Sequence, residues 1–201
     1  MTLSTNQNYF SVHDILASQE KVLCNFDQAV CGLGFLDPSG ENQDLVKGMK
    51  LELPFWMLQA ISQRNQTVAS IYELPKGYKE SYREILSAEA FVVDLHKLGP
   101  FFYQFGLQLL KTNHAENSQI AKMLLQTFQD RVRCIMDSSQ NSLNEDCSKL
   151  TANLDNMERA LFQAGQKGLL DFQKWQIRES EKISTSEIVV NHRKRKLALD
   201  S

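Results

Sequence analysis

The chain has 201 residues, 42% of them hydrophobic and 23% charged, and a formal net charge of -2 at pH 7. That is enough for one domain, or for one medium and one small domain, with a buried core. The balance of charge excludes a protein that grips nucleic acid through a strong basic field, since such affinity comes from Lys and Arg displacing counterions. Residues 1–75 hold four basic against eight acidic residues, leaving the remainder at only +2.

No apolar run nears the roughly 18 residues that suggest a membrane span. The N-terminus also lacks the basic, apolar, small-residue order of a secretion signal, so no membrane partner is expected. Cys24, Cys31, Cys134 and Cys147 form no CxxC, and no His stands at zinc-like spacing. They read as reduced thiols in cytosol or nucleus, with no metal and no cofactor.

In chain order, Ser11 is placed to cap a helix between Phe10 and Val22, with Ile15, Leu16 and Val22 turned inward. Residues 23–36, apolar and punctuated by glycine, predict strands and a tight turn. Residues 37–48 read as a surface loop, and 49–53 as an alternating strand that stops at Pro54. Pro54 then suits the first turn of a helix over 55–64. Residues 68–74 are a strand or a linker before Pro75, where the texture changes. Helices are predicted over 78–87, with Tyr78, Tyr82, Ile85 and Leu86 on one side, over 90–98, and from Pro100 through Leu110.

The segment around Pro100 is unusual. Phe101, Phe102, Tyr103 and Phe105 occupy four of five positions, and each buries about 150–250 Å² when enclosed. From Ser118, Ile120, Leu124, Phe128, Val132 and Ile135 step by three or four along another helix, widened by Met123, Leu125 and Met136. The last periodic signal is close to a heptad seam: Leu150, Leu154, Met157, Leu161, Ala164, Gly168, Phe172 and Trp175. Small residues at 164 and 168 call for a closely crossing helix. Arg193, Lys194, Arg195 and Lys196 then form a basic run that reads as a nuclear import signal, a contact to an acidic partner or a solvated tail.

Site chemistry is sparse. Asp94 and His96 invite an acid/base reading, but their i, i+2 spacing sends the side chains to different sides of a helix. Gly32 and Gly34 make a GxG without the third glycine or the helix a dinucleotide turn needs, and no GxxxxGK[ST] phosphate loop occurs. Asp137, Glu145, Asp146 and Asp155 lack calcium-loop spacing. A direct nucleic-acid module using the basic tail with Arg131 and Arg133 is the alternative to a protein-interaction role.

The stretches LELPFW at 51–56, VVDLHKLGPFFYQFG at 92–106, LLQTFQDRVRCIMDSSQN at 124–141, NED at 144–146 and LDNMERALFQAGQKGLLDFQKW at 154–175 closely resemble the GINS family of replication proteins, in its third Psf branch. The resemblance covers about residues 49–196. It implies a mainly α chain with a small α+β part, a β-rich domain at 1–74, a helical domain at 75–190 and a basic tail at 191–201. It further implies a nuclear, non-enzymatic scaffold that assembles with the three other GINS subunits, the first and second Psf subunits being its neighbours. The assembly would brace the minichromosome-maintenance ring and its cell-division-cycle cofactor, with ATP hydrolysis left to the ring, DNA met only indirectly and no small-molecule substrate. Phe101, Phe102, Tyr103, Phe105, Leu161, Ala164, Gly168, Phe172 and Trp175 are the residues expected at subunit interfaces or, alternatively, in the chain's own core.

Overall fold

The computed structural model describes residues 10–37, 40, 43–62, 68–112, 114–141 and 151–179, together with 186, 188–189, 191–192 and 195. The chain is mainly α-helical with one small antiparallel sheet. In order come α1 (Val12–Ser18), β1 (Lys21–Phe26), β2 (Lys50–Pro54), α2 (Phe55–Ser62), β3 (Ala69–Glu73), α3 (Glu80–Ala88), α4 (Leu95–Leu98), α5 (Phe102–Leu109), α6 (Asn117–Asn141) and a last helix, α7 (Asn156–Gln176).

Strand β1 is the centre of the sheet, in the order β2-β1-β3, and both pairings are antiparallel. Its alternation sends Val22, Cys24 and Phe26 to one face, where all three are buried beside Leu51, Leu53 and Ala69. The other face stays wet, and Lys50 lays its ammonium 3.5 Å from the centroid of the Tyr72 ring. Immediately after β2 the chain turns into α2, whose Phe55 and Leu58 face the same core.

The join between sheet and helices is aromatic. Phe55 meets Phe105 edge-on at 5.2 Å, and Tyr78 stacks on Phe102 at 5.1 Å with the rings 8° apart. Burial pushes the Tyr78 phenol well above its ordinary range, and its hydroxyl donates to the Phe102 carbonyl. One apolar cluster therefore runs without interruption from Val22 to Leu124, across the change of texture at Pro75.

Several local expectations change. The first helix is only seven residues long, capped by Ser11 as expected, but Val22 belongs to β1. Ala17 is its buried residue while Ile15 and Leu16 stay about half exposed. The orientation follows from docking on α5, where Gln104 Nε2 donates to Asp14 Oδ1 at 2.7 Å. Residues after Phe26 make a single bridge, Val30 to Leu45, and a 3-10 turn at Gly34–Leu36 rather than a second strand. That bridge draws Leu45 of the expected loop into the core. Residues 68–74 resolve as a strand, β3. Tyr78 sits in a 3-10 turn ahead of α3, and Ile85 faces outward. Of the helix expected over 90–98 only Leu95–Leu98 forms. Its upstream carbonyls at Ala90 and Val93 accept from Arg131 instead, and Asp94 caps the shortened helix through the Lys97 N–H at 3.1 Å.

Helices α6 and α7 pack with their residue numbers rising together, Arg131 against Glu158 and Ser139 against Gly165, so they run parallel. The close approach expected at Gly168 occurs at Gly165. A Cβ there would lie 2.9 Å from Ser139 Cβ, whereas nothing comes within 4 Å of one at Gly168. Gly165→Ala is thus expected to destabilise the chain by about 1–3 kcal/mol through overpacking. Adding Ser139→Gly should recover most of that loss, and chemical denaturation of the two single variants and the double variant measures the coupling.

Candidate subunit interface

Arg131 lies 1% exposed in the middle of α6, on the row Ile120, Leu124, Thr127, Arg131 and Ile135. The apolar stripe read from the sequence placed Phe128 and Val132 on that line; both are only partly covered. What turns the helix is the guanidinium, all five of whose N–H donors have acceptors. Nε and Nη2 make a fork onto Glu158 at 2.7 and 2.9 Å, Nη1 donates to Ala90 and Val93 carbonyls at 2.7 and 3.1 Å, and Nη2 also reaches the Asn153 carbonyl at 3.3 Å. Glu158, fully buried, additionally accepts from the Tyr103 hydroxyl at 2.8 Å and from the Asp155 N–H at 3.2 Å.

The same carboxylate closes the start of α7. Asp155 and Glu158 form a capping box, and Asp155 accepts from the N–H groups of Met157 at 3.2 Å and Phe102 at 3.0 Å. Burial pushes the Asp155 carboxyl up to about 7, with the Glu158 charge acting in the same direction against the N–H donors. The Tyr103 hydroxyl is likewise raised by burial first and by Glu158 second. Three elements, α5, α6 and α7, therefore meet at one polar knot inside the helical part.

This settles where the expected interface residues stand within the chain. Phe102, Tyr103 and Phe105 are buried in its own core, 2–4% exposed, and Phe101 packs partly against it beside His13. They are not open docking surface, because α1, Phe55 of α2 and α6 already pack around α5. The inward row is Leu154, just ahead of the last helix, then Glu158, Phe162 and Gly165 on it, with Leu161 half covered at its margin. Ala164, Gly168, Phe172 and Trp175 face outward, the last two 56% and 65% exposed. The described part of α6 ends at Asn141, just past the Ser139–Gly165 contact, so the rest of α7 projects beyond it. Every residue from 170 to 179 is exposed, including Leu170 and Ile177, and the Phe172 and Trp175 rings lie 5.7 Å apart on one side.

The other sites expected from sequence do not assemble. Asp94 is occupied as a helix cap and in an ion pair with Lys97 at 3.2 Å, and His96 Nδ1 is buried without a hydrogen-bond partner among the described residues. Gly32 donates its N–H to Asp44 in a surface turn with φ of 75°, and Gly34 opens a 3-10 turn rather than a phosphate-binding helix. Arg131 is enclosed and cannot reach a phosphate; Arg133 alone of that pair is exposed. Cys24, Cys31 and Cys134 are free thiols, with Cys24 raised to about 11 by burial. Cys147, Leu150, the segment 144–146 and Arg193, Lys194 and Lys196 lie outside the described residues, and Arg195 is exposed. The Arg131 network itself left only an indirect trace in the sequence, the Asp-x-x-Glu box at 155–158.

A family model described as the PSF3 N-terminal domain matches residues 10–62, and one described as the GINS complex protein helical bundle domain matches residues 77–177. The chain belongs to the PSF3 family of GINS proteins. The DNA replication complex GINS protein PSF3 of Xenopus laevis is 48% identical over 194 residues, covering 96% of this chain and 92% of the relative. The human protein of the same description is 48% identical over 199 residues with the same coverage. A probable PSF3 of Dictyostelium discoideum is 31% identical over 186 residues, 92% of this chain and 68% of that one. PSF3 similarity thus includes residues 10–48, where the sequence motifs made no residue-by-residue match.

Two outcomes are expected from the buried network. Glu158→Gln leaves the Arg131 charge uncompensated and should lower stability by about 3–5 kcal/mol. Arg131→Lys should also destabilise, because three ammonium donors replace a planar fork of five; urea titration checks both. Asp155 holds its proton more tightly folded than unfolded, so its contribution is full below about pH 4 and is lost as pH rises through about 7. Asp155→Asn keeps the capping oxygen without the titration. Thermal melts from pH 4 to 8 should show the parent chain losing stability relative to this variant as pH rises.

Proposed function

We propose that the chain is a non-catalytic structural subunit of a GINS complex in DNA replication. It assembles in the nucleus with the three other GINS subunits and helps brace the minichromosome-maintenance ring and its cell-division-cycle cofactor. The observation that carries this reading is the C-terminal half of α7, which leaves the core with Leu170, Phe172, Trp175 and Ile177 44–70% exposed. Clustered apolar side chains of that size on a helix with no neighbour among the described residues mark an interaction surface. The printed descriptions of the relatives, as DNA replication complex GINS proteins, support the identity of the assembly. The helicase role rests on the family resemblance, the division near residue 75 on the change of sequence texture there, and the import role of residues 193–196 on their basic run.

Within this proposal Ala164, Gly168, Phe172 and Trp175 form the docking face. The aromatic segment at 101–105 acts behind it as the core that holds α7 in place.

Co-expression with the three other subunits, followed by mass in solution and thermal melting, tests the reading. A stoichiometric heterotetramer that melts above the isolated chain is expected. Phe172→Ala and Trp175→Ala should each weaken assembly about tenfold or more while leaving the isolated chain's melting point unchanged. Gly168→Leu separates the two effects most sharply. With open space around it, the substitution should stabilise the isolated chain by up to about 1 kcal/mol and still impair assembly. Assembly indifferent to all three substitutions would overturn the assignment of this face.

A further inference from the structure

A cavity of about 210 Å³ lies where the sheet part meets the helices, walled by α1, the turn at 75–78 and the stretch 98–102. Its mouth is open. Leu16 and Glu20 are exposed there, and a Cβ added at Gly99 would meet nothing within 4 Å. Val12, one turn before Leu16 on α1 and 64% exposed, carries the apolar surface outward from the mouth. Among the lining residues Glu20 alone is charged. Its backbone N–H and carbonyl are taken by Ala17 and Phe55, but its carboxylate makes no hydrogen bond or ion pair among the described residues. Burial holds the Glu20 carboxyl above its ordinary range. The Tyr78 phenol in the cavity wall, raised chiefly by burial, is raised further by the Asp155 and Glu20 charges, so the carboxylate stands on the cavity side.

We propose that this cavity seats an arginine side chain of another GINS subunit, its guanidinium paired with the Glu20 carboxylate and its aliphatic stem laid along Leu16. The contact rests on the GINS reading above and is separate from the α7 face. A purely apolar occupant would close the mouth over a carboxylate left without a counter-ion, and that desolvation outweighs what one apolar side chain gains. An acidic occupant would be repelled by the single charge on the wall. Between the two cations, arginine suits the walls better than lysine. Its guanidinium is more weakly hydrated, forks onto a carboxylate and stacks on an aromatic ring, which the partly covered Phe101 supplies. Its stem is apolar enough to line the rest.

Arginine-selective labelling of the assembled complex with phenylglyoxal, read by mass spectrometry, tests this. One arginine of another subunit is expected to be protected in the parent complex and to label about tenfold faster when the chain carries Glu20→Gln. The same substitution should weaken assembly about tenfold or more and leave the isolated chain's melting point unchanged, since the carboxylate bonds nothing in the described fold. Glu20→Arg, combined with a change of the protected arginine to Glu, should restore assembly, which general damage to the fold would not allow. If the complex assembles but Glu20→Gln alters neither its affinity nor the labelling of any partner arginine, this inference falls and the GINS reading stands. A partner lysine that becomes reactive to acetylation in place of an arginine also overturns it. If the parent chain does not assemble, both fall.

Discussion

The buried pair of Arg131 and Glu158 is the constraint on which the helical part depends. Two ions of opposite charge removed from water are tolerated only when geometry and further hydrogen bonds offset their desolvation. Here every guanidinium donor is used, and Glu158 also receives the Tyr103 hydroxyl and the Asp155 N–H. The partners of the pair come from four separate stretches of chain: the carbonyls at 90–93 and 153, the segment 155–158 and, through the Tyr103 hydroxyl, α5. The knot therefore sets the register of α6, the starting point of α7 and the irregular path before α4 at once. An apolar replacement of similar volume would pack, but it would select among these segments far less sharply.

From that anchor the direction of α7 follows. Its first turn is held by the capping box and the Phe102 N–H, and its third by the Gly165–Ser139 approach, where the lack of a side chain lets two parallel helices close. Beyond that point the described α6 gives no further support, and the helix continues into solvent with its aromatic side chains uncovered. The inner aromatics and the outer ones thus have different tasks. Phe102, Tyr103 and Phe105 join sheet to helices inside the chain, and Phe172 and Trp175 are presented outward by the rigid body that results.

Much of the element order was legible in the residues. Alternation in β2, the Ser11 cap and the long periodicity of α6 are local signals, and each appears where its local chemistry places it. The errors share a cause. Helix was expected over 90–94 because the residues permit it, but Arg131 takes the carbonyls of Ala90 and Val93. Val132 was placed on the inward stripe because it is apolar, and Arg131 was read only as a candidate nucleic-acid contact because it is charged. The partner that reverses this, Glu158, is 27 residues away.

By itself, then, the sequence determined the class of the fold, the family and the existence of an apolar surplus along the last helix, because hydrophobic period, caps and extended motifs are written locally. Only the tertiary structure decided which apolar side chains are consumed inside the chain and which stay exposed. That division depends on how far each helix is accompanied by its neighbour and on one buried ion pair between residues distant in sequence, and neither quantity has a local signature.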